Sequence, residues 1–140
     1  VIKYPEIELD HDKELLSSYG GKNTFRCDLS GEKVGSNLET ITVCLRKSKS
    51  GEAGTAELLS LCRLRHPNIV RFLGRGISDD FRYLIFEYCD SSLASVIQQC
   101  RRDDTFFDPR DFMRWVDNLL DGMNYLLDES ISHGDLKPDK

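Results

Sequence analysis

Residues 108–127 constrain the fold of this chain more than any other stretch. Asp108 precedes Pro109, a residue suited to the first helical position, and Asp111 adds negative charge to the first turn. From there Phe112, Trp115-Val116, Leu119-Leu120, Met123 and Leu126-Leu127 recur at steps of three and four. That period is the stripe of an amphipathic helix suited to burial, and a stripe so continuous expects further helices that this chain lacks, leaving an apolar patch that favours self-association or a partly molten state. Trp115 and Met123 are therefore assigned to packing rather than to ligand contact.

The chain before this helix has a different period. Thr24-Phe25-Arg26-Cys27, Thr40 to Leu45, Ile69 to Leu73 and Arg82 to Tyr88 read as strands, rich in β-branched and aromatic residues. Gly20-Gly21, Ser30-Gly31-Glu32-Lys33 and Ser78-Asp79-Asp80 punctuate them as turns. Alternation points Cys44 and Arg46 to one face of their strand, and Val43 and Leu45 to the other. Between the strands, Glu52 to Leu64 reads as a helix through Leu58, Leu61, Cys62 and Leu64. Ser91 to Cys100 reads as a second, short helix with Leu93, Val96 and Ile97 on one face. Val1 to Leu9 alternates weakly, so residues 1–18 read as an extended lead-in. At 140 residues the chain suffices for one moderate core.

With 39% hydrophobic and 31% charged residues, the composition is that of a soluble globular protein. A net charge of -5 argues against a nucleic-acid surface, and Arg63, Arg65, Arg71 and Arg75 read as a solvated face. Cys27, Cys44, Cys62, Cys89 and Cys100 form no C-x-x-C pair, which fits reduced thiols better than a disulfide framework or a zinc site. No apolar run approaches the ~18 residues that span a bilayer, and no leader pattern opens the chain. The expected location is the cytoplasm or the nucleus.

Two motifs remain. One is E-x-x-x-L-x-x-L-x-H-P-N-I-V, running from Glu57 to Val70. The other is His133-Gly134-Asp135-Leu136-Lys137-Pro138-Asp139-Lys140, which taken alone is a His-Gly turn with a Pro-stopped loop. Together they closely resemble protein kinases, whose catalytic loop reads H-R-D-L-K-P-x-N. The resemblance implies that Asp135 accepts the proton of the substrate hydroxyl and that Lys137 steadies the transferring phosphate. Leu-Lys-Pro is the Ser/Thr kinase variant. Two positions depart: Gly134 stands for Arg, and Lys140 for the Asn that holds a metal ion.

The same resemblance assigns the ATP-binding candidates. Val43-Cys44-Leu45-Arg46 falls where kinases carry V-A-I-K, so Arg46 replaces the phosphate-binding Lys, unless a short insertion shifts the register by one and brings Lys47 in, and Glu57 becomes its helix partner. That swap is not conservative, because the guanidinium fork differs from a compact ammonium. Leu84 to Cys89 resembles the fifth strand and hinge, with Phe86 as gatekeeper and the backbone around Glu87 and Cys89 reading adenine. Gly20-Gly21 is either a remnant of the glycine-rich phosphate loop or a plain hairpin turn. The implied fold is α+β and protein-kinase-like: a five-stranded antiparallel N-lobe sheet with one helix, then the start of a helical C-lobe. The lead-in would cover 1–18, the N-lobe and hinge 19–89, and the C-lobe 90–140, with the chain ending before D-F-G. Phe81 to Leu93 also resembles the kinase/endoribonuclease sensors of unfolded-protein stress.

Three functions follow. The first is ATP-dependent phosphoryl transfer to protein Ser/Thr hydroxyls, with ATP and Mg2+ as cofactors, most metal ligands missing, and no transfer by these 140 residues alone. The second is a pseudokinase scaffold or switch, favoured by Arg46, the missing glycines, Gly134 and Lys140. The third is an interaction module that binds no nucleotide. The implied partner is a protein substrate or a regulatory protein, with no nucleic acid and no membrane segment.

Overall fold

The computed structural model describes residues 6–9, 15–18, 24–48, 55–78 and 81–139. It divides into two compact units, one of residues 1–65 with 70–88, the other of residues 66–69 with 89–140.

The first unit is built on a six-stranded sheet: β1 (Glu6–Glu8), β2 (Leu15–Ser18), β3 (Thr24–Ser30), β4 (Thr40–Ser48), β5 (Phe72–Ser78) and β6 (Phe81–Glu87), in the order β1-β5-β6-β4-β3-β2. The five strands from β2 to β5 in that order pair antiparallel, as the kinase resemblance implies. Within residues 1–18, β1 joins the edge in parallel to β5, and β2 forms the opposite edge. Weak alternation concealed β1 because its pairing partner lies far along the sequence. The helix α1 (Thr55–Arg63) belongs to this unit.

Alternation places the core. Val43, Leu45, Cys27, Leu29 and Ile85 are each 0% exposed, while Cys44 and Arg46 point to the other face. Ile7, Leu9 and Tyr83 complete this cluster, and Phe25 meets Tyr83 edge-on at 6.2 Å although β4 lies between their strands. Leu9 and Leu15 sit at opposite edges of the sheet. About six extended residues reach only about 20 Å, whereas five strand spacings laid flat cover about 24 Å, so the sheet curls.

In the second unit, α2 (Leu93–Arg102) starts on Ser92, whose hydroxyl accepts from the Ser95 amide while the Ser95 hydroxyl accepts from the Ser92 amide. The long helix α3 (Pro109–Asp128) is capped by Asp108, which accepts from the Arg110 amide at 2.8 Å. It ends in a paired turn: Ile131 N–H donates to the Leu126 carbonyl and Ser130 N–H to the Leu127 carbonyl, with Ser130 at φ 58°. Phe107 meets Trp115 edge-on at 5.4 Å.

One expectation is corrected. The strand expected from Ile69 begins at Phe72, because His66 to Ile69 form a turn in the helical unit instead. The stripe of α3 is only partly covered. Leu126 is 5% exposed, but Phe112, Leu119, Leu120 and Leu127 stand at 48%, 47%, 57% and 74%. The segments that share its unit cover one side of a 20-residue helix and leave the rest open. None of the five cysteines forms a disulfide, and no described helix is long and apolar enough to cross a membrane.

Candidate active site

In the first unit the site grows from the non-core face of β4. Strand alternation turns Arg46 away from the core, and α1 brings Glu57 to meet it, with Arg46 Nη2 2.6 Å from Glu57 Oε1. Both side chains are about half exposed, so water screens the pair. The same guanidinium lies 5.6 Å from the centre of the Phe86 ring. Phe86 is in register with Phe72, and their rings meet edge-on at 5.5 Å. Arg46 is thus held between a carboxylate and an aromatic face. On α1, burial pushes the Cys62 thiol above its ordinary value, partly opposed by Arg75.

Glu87 closes β6. Its amide donates to the Arg71 carbonyl at 2.9 Å, and its carboxylate accepts from the Arg71 amide at 2.8 Å. With the Glu87 N–H engaged in the sheet, any reading of an adenine edge by Glu87 falls to its carbonyl oxygen. Tyr88 follows, with the Arg26 guanidinium 5.1 Å from its ring centre. Cys89 is exposed at the start of the second unit's main segment.

In the second unit, the loop after α3 carries Asp135 and Lys137. Its start is fixed by the α3 terminal turn, and its far end by the Ala94 amide, which donates to the Pro138 carbonyl at 2.7 Å. Between them Gly134 turns the chain at φ 75°, a conformation that side chains disfavour. This brings the Asp135 amide 3.2 Å from His133 Nδ1, which accepts its proton. Lys137 Nζ lies 3.7 Å from Asp135 Oδ2 and 3.9 Å from Asp139 Oδ2. The structure therefore brings together Arg46 with Glu57 and Phe86, and Asp135 with Lys137. Gly20, Gly21 and Lys140 lie outside the described residues.

The sequence reading gave no role to the seat of His66 to Ile69. His66 stacks on Tyr125 of α3 at 4.8 Å, and its Nε2 lies 3.4 Å from Asp121 Oδ2. Asn68 Nδ2 donates to that same oxygen at 3.1 Å. A Cβ at Gly122 would stand 3.1 Å from the Asn68 carbonyl oxygen, so any side chain there would make the turn give way by a few tenths of an ångström. The signal was present as H-P-N-I, but nothing local says which helix receives it.

Donors for a metal are sparse. Among the described residues no three His, Cys, Asp or Glu side chains come together as a cation site, and Asp135 and Asp139 both lie against Lys137. These residues do not by themselves fit a magnesium ion.

Comparison with known proteins agrees with this geometry. Residues 38–140 match the protein kinase domain. Mitogen-activated protein kinase kinase kinase dlk-1 of Caenorhabditis elegans is 33% identical over 101 residues, covering 71% of this chain and 10% of that protein. Inactive serine/threonine-protein kinase PLK5 of Mus musculus is 37% identical over 76 residues, covering 54% and 12%. The sensor for unfolded proteins in the ER ire1 of Schizosaccharomyces pombe is 33% identical over 73 residues, covering 52% and 7%. The chain spans at most 12% of the length of any of these three. The match begins inside the sheet, just before β4, and runs through both motifs to the loop of Asp135 and Lys137: this chain belongs to the protein kinase family.

Proposed function

We propose that this chain takes part in phosphoryl transfer from ATP to serine or threonine hydroxyls of proteins. The observation that carries the reading is the loop of Asp135 and Lys137, a carboxylate and an ammonium 3.7 Å apart on backbone fixed at both ends. The Asp135 carboxylate accepts the proton of an attacking hydroxyl, and the Lys137 ammonium offsets negative charge on the transferring phosphoryl group. Such chemistry depends on positioning and electrostatics more than on covalent steps, which suits a fixed loop. In the first unit, Arg46 supplies a cation for the nucleotide's phosphates, oriented by Glu57. Family members use ATP with Mg2+; since the described residues do not fit the metal, no step here passes through it. Five thiols without a disulfide support a cytoplasmic or nuclear location.

One observation favours a second reading, a pseudokinase that acts as scaffold or switch. Arg46 is engaged by both Glu57 and the Phe86 ring, so a phosphate would compete for a guanidinium already held. The test is transfer of radiolabelled γ-phosphate to a peptide library by a protein carrying this chain together with the family's D-F-G segment. Labelled Ser and Thr peptides support the first reading. Labelling of tyrosine alone contradicts the hydroxyl assignment, and silence with intact partner binding replaces the kinase reading by the pseudokinase one.

A further inference from the structure

The outer edge of β5 holds a site that phosphoryl transfer does not use. β5 reads Phe72-Leu73-Gly74-Arg75-Gly76-Ile77-Ser78, with Gly74 and Gly76 on its buried side. Against this shelf lies the extended segment Glu6-Ile7-Glu8-Leu9, with Glu6 opposite Arg75, Ile7 opposite Gly76 and Glu8 opposite Ile77. The Leu9 amide donates to the Ile77 carbonyl at 2.7 Å. Ile7 and Leu9 are each 5% exposed and sit in the same cluster as Val43, Leu45 and Ile85. The seat of Leu9 exists because residue 76 has no side chain: a Cβ there would stand 2.5 Å from Leu9 Cδ1 and 3.0 Å from Cγ. The alternate residues are acidic, and Glu6 Oε1 lies 4.0 Å from Arg75 Nη2. Lys33 Nζ also donates to the Glu8 carbonyl at 3.3 Å.

We propose that the β5 edge is an acceptor site for an extended segment of acidic–aliphatic–acidic–aliphatic pattern. In this structure the chain's own residues 6–9 fill it, and a partner protein presenting the same pattern competes for it. Three features set that rule. Backbone hydrogen bonds of a parallel added strand are sequence-blind, so affinity comes from the edge itself. The Gly76 shelf admits a branched aliphatic side chain at every second position. Arg75 favours carboxylates on the opposite face, an effect that salt weakens. A segment tethered in cis has an effective concentration on the order of mM, so the partner gains the site when residues 6–9 let go.

The site predicts which amides open. Ile77 turns its carbonyl toward β1, and residues two apart share an edge, so the amides of Arg75 and Ile77 face the added segment. In the full chain carrying Leu9→Glu, hydrogen exchange at Arg75 and Ile77 should rise at least about tenfold while Leu45 and Ile85 stay protected. A fluorescein-labelled peptide of residues 4–10 should bind saturably to a chain lacking residues 1–9. The same peptide with Ile7→Asp and Leu9→Asp should bind at least about tenfold more weakly, because two buried aliphatics are lost. Gly76→Leu in the protein should abolish binding. Unchanged exchange in Leu9→Glu overturns the docking. Equal binding of the two peptides, or none to a shortened chain that keeps β4 and β6 protected, overturns the recognition rule. If the shortened chain loses its sheet, both peptides are added to the Leu9→Glu chain. Re-protection of Arg75 and Ile77 by the unmodified peptide alone supports the proposal, and its failure overturns it.

Discussion

Replacing Arg46 by Met tests whether the Arg46–Glu57 pair stabilises the sheet unit or merely decorates it. The ion pair is 2.6 Å long but about half exposed on both sides, so it is worth about 0.2–1 kcal/mol. The guanidinium over Phe86 at 5.6 Å adds about 0.5–1 kcal/mol at a partly exposed site. Arg46→Met should therefore destabilise the unit by about 1–2 kcal/mol. Coupling to Glu57→Gln in a double-mutant cycle should be only about 0.5–1 kcal/mol. Trp115 lies in α3 and reports the other unit, so the assay is native-state exchange at Leu45 and Ile85, which are buried in the sheet. In 1 M salt, where the screening length falls to about 3 Å, the coupling should fade while the ring contribution persists. A coupling above about 2 kcal/mol that ignores salt would mean a desolvated pair and rule out the screened, half-exposed one.

Gly122→Leu should push the Asn68 carbonyl out of contact and break its side-chain bond to Asp121, costing about 1–3 kcal/mol in a denaturant melt followed by Trp115 fluorescence. Hydrogen bonds from the Arg110 side chain and amide hold the Asp108 carboxyl below its ordinary 3.8. A depressed folded-state value stabilises α3 above about pH 4 and is lost as pH falls through it, so Asp108→Asn should flatten the acid limb of a circular-dichroism titration. The open stripe of α3, with Phe112, Leu119, Leu120 and Leu127 exposed, should make this chain self-associate. Sedimentation should show a mass that rises with concentration and falls in Leu120→Glu, and a concentration-independent monomer would contradict this.

Locally encoded features were legible in the sequence. The α3 start at Asp108-Pro109 follows from capping chemistry within one turn, and the structure places the cap there. The division of β4 into a core face of Val43 and Leu45 and an outer face of Cys44 and Arg46 follows from the two-residue period. Features that depend on distant partners were not. β1 pairs in parallel with a strand more than sixty positions away, so no turn announces it. Ile69 and Val70 have strand propensity, but His66 and Asn68 hold that turn to Asp121 and Tyr125, and the strand starts later. The stripe of α3 pointed to a helix with an apolar face left open, but a period says which residues could be covered and not which of them are, so the burial of Leu126 beside the exposure of Leu127 could not be read from it. Within the site, the sequence named Arg46 and Glu57 through the family pattern. It missed the Phe86 ring against Arg46, which follows from the register of β4 on β6, and the Arg71 amide bonded to the Glu87 carboxylate just before β5 begins.

The proposed role of Asp135 as the base for phosphoryl transfer is tested by pairing turnover with nucleotide affinity. A protein carrying this chain and the D-F-G segment is compared with its Asp135→Asn variant for transfer of labelled γ-phosphate and for ATP binding by calorimetry. Loss of a positioned base should lower transfer by about 10²–10⁴-fold. The ATP dissociation constant should stay within about twofold, because the removed interaction matters only in the transition state. Undiminished transfer in Asp135→Asn, or a silent wild-type protein that still binds ATP, would contradict the account.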